Sequence, residues 1–132
     1  MASVGELMNR STLHTVADTV TVAEAATVMS RARVGSTLVM EGDRLIGIFT
    51  ERDMVRAISQ APESAGDPIA HWMTRSPQVV TPETDAQQAL DAMVAGGFRH
   101  LPVVEGVRVI GVISMRDLAA TGLGVPAHSP RY

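Results

Sequence analysis

Two pairs of side chains have the types and the spacing to hold a small polar ligand. Thr50 and Asp53 stand three residues apart, and so do Ser114 and Asp117. Each pair closes a stretch of one design: Gly47-Ile48-Phe49-Thr50-Glu51-Arg52-Asp53 and Gly111-Val112-Ile113-Ser114-Met115-Arg116-Asp117. An aliphatic run that ends on a hydroxyl and then turns polar predicts a strand passing directly into a helix. Both side chains then lie at a helix N-terminus, where free backbone N–H groups and the positive end of the helix dipole favour anions. A hydroxyl there can bond a phosphate or ribose oxygen. The carboxylate is a poor partner for phosphate but a good acceptor for two vicinal ribose hydroxyls. The same spacing also suits plain helix capping, worth ~1 kcal/mol per cap, and one residue can do both.

The two stretches belong to an internal repeat with an offset of 64 residues. Val39, Glu41, Gly42, Arg44, Ile46, Gly47, Arg52 and Asp53 recur as Val103, Glu105, Gly106, Arg108, Ile110, Gly111, Arg116 and Asp117. Val16, Ala25 and Met29 match Val80, Ala89 and Met93. A repeat fixes the architecture before any single motif does. Two copies of 50–60 residues exclude a solenoid, and each is small enough for burial to be marginal. The expectation is an α+β fold of two modules packed by pseudo-twofold symmetry.

Each copy must position its pair with the same elements. A lead-in comes first, Met8-Asn9-Arg10-Ser11 or Met73-Thr74-Arg75-Ser76, followed by a short extended stretch, Leu13–Val16 or Gln78–Thr81. A helix follows. Val22, Ala25, Ala26 and Met29 share one helical face, as do Ala86, Ala89, Leu90, Met93 and Val94. Thr21 with Glu24, and Asp85 with Gln88, have capping-box spacing, and Gly96-Gly97 is a stop signal. Two apolar runs joined through a glycine then predict a hairpin, Thr37–Met40 with Leu45–Phe49 and Leu101–Val104 with Arg108–Ile113. The second run of each pair does not alternate cleanly, which predicts cover on both faces. A short helix closes each copy, over Glu51–Ser59 with Met54, Val55 and Ile58 inward, and over Met115–Ala120 with Leu118 inward.

With that order, the repeat, and the motif Gly-aliphatic-x-Thr/Ser-x-x-Asp at two matched places, the chain resembles a tandem CBS-domain protein, a CBS pair or Bateman module. Phe98-Arg99-His100-Leu101-Pro102-Val103-Val104 and Thr50-Glu51-Arg52-Asp53-Met54-Val55-Arg56 look like characteristic segments of that family. The resemblance covers about residues 6–121. It implies a β-α-β-β-α module at 6–59, a connector at 60–71, a second module at 72–121 and a loose tail at 122–132. It further implies an adenosyl ligand (AMP, ADP, ATP or S-adenosylmethionine) in the cleft between the modules. Thr50, Asp53, Ser114 and Asp117 would contact its phosphate and ribose. Arg99, His100, Leu101 and Pro102 would line the cleft, with Ser36 and Thr37 at the matching places of the first copy. Two such pairs commonly assemble into a flat disc of four modules, so a homodimer is implied as well.

Beside that resemblance, Arg52 and Arg56 lie four apart on the first copy's closing helix, with Arg56 the better placed to neutralise phosphate. The second copy keeps Arg116 but has Ala120 where Arg56 stands, so the two sites are not expected to prefer the same phosphate count. Pro102 lacks an N–H and holds Leu101 extended, and the first copy has no matching proline.

Other classes of function fit less well. The formal net charge of −3, with one Trp, one Tyr and two Phe, provides neither a broad phosphate-binding face nor a base-stacking platform. There is no Cys, and His14, His71 and His128 show no metal-ligand spacing. The chain has no Gly-x-Ser-x-Gly, no Walker motif and no His-Glu-x-x-His, so an enzyme is not expected. No secretory leader or membrane span is expected either, which fits a cytoplasmic protein. The alternative to a ligand sensor is a ligand-free scaffold that dimerises or docks on a protein partner.

Overall fold

The structure, a computed structural model, describes residues 2–8 and 13–122. It divides into two compact units, one built around residues 14–77 and the other around residues 78–122 together with the N-terminal segment.

In the first unit, β1 (Thr15–Ala17) leads into α2 (Val22–Ala32), then into β2 (Ser36–Glu41) and β3 (Arg44–Thr50), and α3 (Glu51–Gln60) follows without a break. A short N-terminal helix, α1 (Val4–Leu7), precedes these elements in the chain. The expected capping box is present on α2: Thr21 Oγ1 accepts the Glu24 N–H at 3.1 Å and Glu24 Oε1 accepts the Thr21 N–H at 2.9 Å. Val22, Ala25 and Met29 are buried on its inner face. β2 runs parallel to β1 and antiparallel to β3. Gly42, with φ 60°, opens the hairpin turn at the place where a II′ turn takes glycine.

The second unit repeats the plan with α4 (Ala86–Gly96), β5 (His100–Glu105), β6 (Arg108–Ser114) and α5 (Met115–Ala119). Both hairpins slip register at the same place, between Val39 and Met40 and between Val103 and Val104. The extended stretch expected at Gln78–Thr81 contributes a single parallel bridge, Val80 to Val103. In β6, Val109, Gly111 and Ile113 are buried while Ile110 and Val112 are half-buried. This strand alternates more than its apolar composition suggests.

The compact units cut across the boundaries of the sequence repeat. α1 packs with the second unit, where Val4 and Met8 join Ala86, Leu90, Leu101, Ile113 and Leu118 in one apolar core. Stretch 60–71, expected as a connector, forms two 3₁₀ turns, Ser64–Gly66 and Ile69–His71, and Ile69 is fully buried in the first unit's core. The following lead-in supplies β4 (Thr74–Arg75), which pairs with Gly47 and Ile48 of β3. The two lead-ins are held by matching bonds. Val4 N–H donates to Thr84 O at 2.8 Å, and Ile69 N–H to Val20 O at 2.8 Å; Ala86 N–H donates to Ala2 O at 2.9 Å, and Val22 N–H to Asp67 O at 3.0 Å. Each lead-in thus completes the unit of the other copy. Asn9, Arg10 and Ser11, and the tail beyond Gly122, lie outside the described residues.

One expected face is corrected. Val55 and Ile58 do not point inward on α3: they are 69% and 45% exposed. The inner face of this ten-residue helix is made by Asp53 and Ala57, with Met54 half-buried.

Two backbone positions give measurable expectations. A Cβ on Gly47 would lie 2.6 Å from Met73 Sδ and 2.9 Å from the Thr74 carbonyl oxygen, so Gly47→Ala should cost about 1–3 kcal/mol in urea unfolding. Arg33 ends α2 in the left-handed region, φ 58°, where the second copy has Gly97 at φ 72°. Arg33→Gly should therefore raise stability by about 1 kcal/mol in the same assay.

Candidate functional site

The two hydroxyl–carboxylate pairs stand where a strand becomes a helix, and each forms a capping box. Thr50 Oγ1 accepts the Asp53 N–H at 3.2 Å, and Asp53 Oδ2 accepts the Thr50 N–H at 3.0 Å. Ser114 Oγ accepts the Asp117 N–H at 3.2 Å, and Asp117 Oδ2 accepts the Ser114 N–H at 2.8 Å. A further backbone bond sets each helix against its hairpin, from Glu51 N–H to Gly35 O at 3.1 Å and from Met115 N–H to Arg99 O at 2.8 Å. The capping role is therefore real at both places. It occupies two of the first-turn N–H groups that an anion would otherwise meet, so the chemistry of these junctions lies mainly in their side chains.

Register places the other candidates. Ser36 is directly opposite Thr50, and His100 is directly opposite Ser114. The first unit thus brings together Thr50, Asp53 and Ser36, and the second brings together Ser114, Asp117 and His100. Thr37 and Leu101 are fully buried. Thr37 donates its hydroxyl to His14 O at 3.3 Å and Leu101 packs in the apolar core, so their side chains brace the hairpins. Pro102 is buried too, and its carbonyl accepts the Val80 N–H at 3.0 Å.

The first junction contains two residues whose part the sequence did not disclose. Thr74 donates its hydroxyl to Asp53, 3.2 Å from Oδ1 and 3.4 Å from Oδ2. Trp72 accepts a bond from Arg56 Nη2 on its carbonyl oxygen at 2.7 Å and lies under the Arg56 guanidinium, 5.5 Å from ring centroid to Cζ. Arg56 also approaches Asp53 Oδ1 at 3.5 Å. The residue read as a phosphate partner is thus turned onto Trp72 and Asp53. Its match in the second copy, Ala120, has no side chain for such a bridge.

The second junction has a different electrostatic character. Burial pushes His100 down from its ordinary 6.5 to about 4, helped by the neighbouring Arg99 and Arg116 charges and opposed by Asp117. His100 is therefore neutral near pH 7. It offers a ligand one donor and one acceptor but no charge, and any positive charge here comes from the arginines. Among the described residues no group of His, Asp and Glu is arranged to hold a metal ion, and no helix is long and apolar enough to cross a membrane.

The geometry agrees with the comparisons to known proteins. The model of the CBS domain matches residues 4–60 and again residues 69–123. An uncharacterized 17.7 kDa protein of Acidianus ambivalens is 39% identical over 115 residues, which cover 86% of this chain and 69% of the relative. The CBS domain-containing protein CBSCBSPB1 of Arabidopsis thaliana is 40% identical over 103 residues, 76% of this chain but only 19% of the relative. Among solved structures, the CBS-domain containing protein ATU1752 from Agrobacterium tumefaciens superposes with a TM-score of 0.87 at 29% identity, covering 92% of this chain and all of that one. Two more distant structures share the fold. CBSX2, solved in complex with AMP, has a TM-score of 0.78 at 24% identity, covering 93% of this chain and 97% of its own. The CBS domain pair of MJ0100, solved with 5′-methylthioadenosine and S-adenosyl-L-methionine, has a TM-score of 0.83 at 20% identity, covering 92% and 99%. This chain belongs to the CBS domain family and carries two copies of the domain in tandem.

The His100 environment makes a pH prediction. Its folded pKa lies below its unfolded value, so between about 4 and 6.5 the unfolded chain holds more protons than the folded one. Its contribution to stability is complete above pH 6.5 and is lost as pH falls toward 4, on the order of 3 kcal/mol in all. Urea unfolding across that range should show the slope in the native protein and a shallower one in His100→Asn.

Proposed function

We propose that this chain is a regulatory module that holds an adenosyl ligand at the strand-to-helix junctions of its CBS copies and performs no chemistry on it. The observation that carries this reading is the repeated constellation of a hydroxyl, a carboxylate and a polar residue directly across the hairpin: Thr50, Asp53 and Ser36, and again Ser114, Asp117 and His100. Carboxylates suit the vicinal hydroxyls of a ribose, and the hydroxyls suit ribose or phosphate oxygens. AMP, ADP, ATP and S-adenosylmethionine are the candidates, supported at the level of fold by the AMP held by CBSX2 and the methylthioadenosine and S-adenosylmethionine held by MJ0100. Arg99 and Arg116 supply the positive charge of the second junction. In the first, Arg56 must leave Trp72 before it can meet a phosphate. Leu101, Pro102 and Thr37 contribute rigidity and main-chain groups.

The output of such a module passes to another surface: a second copy of the chain in a homodimer, or a cytoplasmic protein partner. The exposed Val55 and Ile58 on α3 favour this, and they equally favour a second reading in which the chain is a ligand-free scaffold.

A thermal-shift screen against AMP, ADP, ATP and S-adenosylmethionine separates the two. A ligand at one hundred times its dissociation constant should stabilise the protein by about 2.7 kcal/mol. The shift should disappear on Asp53→Ala, Asp117→Ala or both. A folded protein whose midpoint is indifferent to the whole panel would favour the scaffold.

A further inference from the structure

Asp53 is only 5% exposed, and its carboxylate is already crowded with donors. Oδ2 takes the Thr50 N–H at 3.0 Å and the Thr50 hydroxyl at 3.2 Å. The Thr74 hydroxyl bridges both oxygens, and Arg56 stands 3.5 Å from Oδ1. A carboxylate offers about four lone-pair positions, and a vicinal diol needs two of them. The Thr50 N–H cannot leave, because it is half of the α3 capping box, whereas the Thr50 hydroxyl caps as an acceptor and can turn its proton to a ligand without leaving its place. Arg56 is anchored elsewhere, on the carbonyl and ring of Trp72. Thr74 is the donor that can leave. It sits on the two-residue strand β4, whose residues are both exposed and which pairs with β3 only at Gly47 and Ile48. The chain before it is braced separately, by Ile69 in the core and by Trp72 Nε1 on Asp67 Oδ2 at 2.9 Å, while β4 itself is held by its short pairing with β3, by Arg75 on Ala70 O at 3.0 Å and by the Ser76 N–H on Ile46 O at 3.2 Å. Undocking β4 breaks these few bonds and leaves the core around Ile69 in place.

We infer that the Thr74 hydroxyl occupies, on Asp53, the place of a ligand hydroxyl, so that the first copy is self-occupied and takes its ligand only by undocking β4. This rests on the nucleotide reading above and adds its regulation. A ribose on Asp53 and a docked Thr74 exclude each other. Occupancy of the first copy is thereby coupled to the position of the segment that carries the chain into the second.

The test measures AMP binding by calorimetry in an Asp117→Ala background, so that only the first copy contributes. Thr74→Val keeps the shape and removes the donor. It should bind AMP about tenfold more tightly, the effect of one hydroxyl-to-carboxylate bond no longer competing. Thr74→Ser keeps the donor and should bind as the background does. A second measurement needs no substitution: AMP added to the native protein should speed amide hydrogen exchange at residues 74–76. Binding that is intact but weakened or unmoved by Thr74→Val, or exchange that slows at 74–76, overturns the gate and leaves the nucleotide reading standing. Absence of binding to AMP, ADP, ATP and S-adenosylmethionine alike, in every variant and in the native protein, overturns both.

Discussion

The reciprocal bond between a strand-end hydroxyl and the carboxylate three residues on is the interaction from which the rest of each unit is set. It fixes the residue at which extended backbone becomes helical. The bond from the next N–H back to Gly35 O or Arg99 O then fixes where that helix lies against its hairpin. Once both are made, the residue across the strand pair has no freedom in where it sits, and Ser36 and His100 meet the junction by register alone. A binding constellation built this way stands on regular secondary structure and inherits its rigidity. The same bonds also stabilise each helix, so capping and recognition are two uses of one geometry.

The two copies keep this frame and differ in what surrounds it. In the first, a small Ser36 stands across from the hydroxyl and Asp53 is buried under Thr74 and Arg56. In the second, a neutral imidazole stands there, Asp117 is half-buried, and the charges of Arg99 and Arg116 act on the histidine. A duplicated scaffold has thus acquired one tight, internally bonded carboxylate and one flanked by a titratable ring. The copies are alike in backbone and unlike in electrostatics.

Much of this was legible in the sequence because it depends on local chemistry. Capping boxes need a hydroxyl or carboxylate and a partner three residues on, and Thr21 with Glu24, Asp85 with Gln88, Thr50 with Asp53 and Ser114 with Asp117 all carry that spacing in plain view. The hairpins follow from glycine between β-branched runs. What could not be read depends on contacts distant in sequence. Val55 and Ile58 have the composition of an inner face, but Asp53 is drawn inward by its cap bonds, and the helix turns those residues outward. In the sequence, Thr74 reads as part of a lead-in to the second copy. Its bond to Asp53, 21 residues back, exists only because β4 adds to the first copy's sheet. The one sequence signal for it was the likeness of Met73-Thr74-Arg75-Ser76 to the segment at Met8, which marks a lead-in without saying which unit receives it.

That exchange of lead-ins has a topological consequence. Because α1 packs with the second copy, and Ile69 and β4 complete the first, the chain is laced through both units rather than folded one after the other. Cutting it between the copies would not release two finished modules. Each fragment would carry a piece that belongs to its partner and lack one of its own. A chain with a single copy could close its core only by borrowing the lead-in of another molecule. In the tandem chain that intermolecular debt is settled within one polypeptide, independent of concentration.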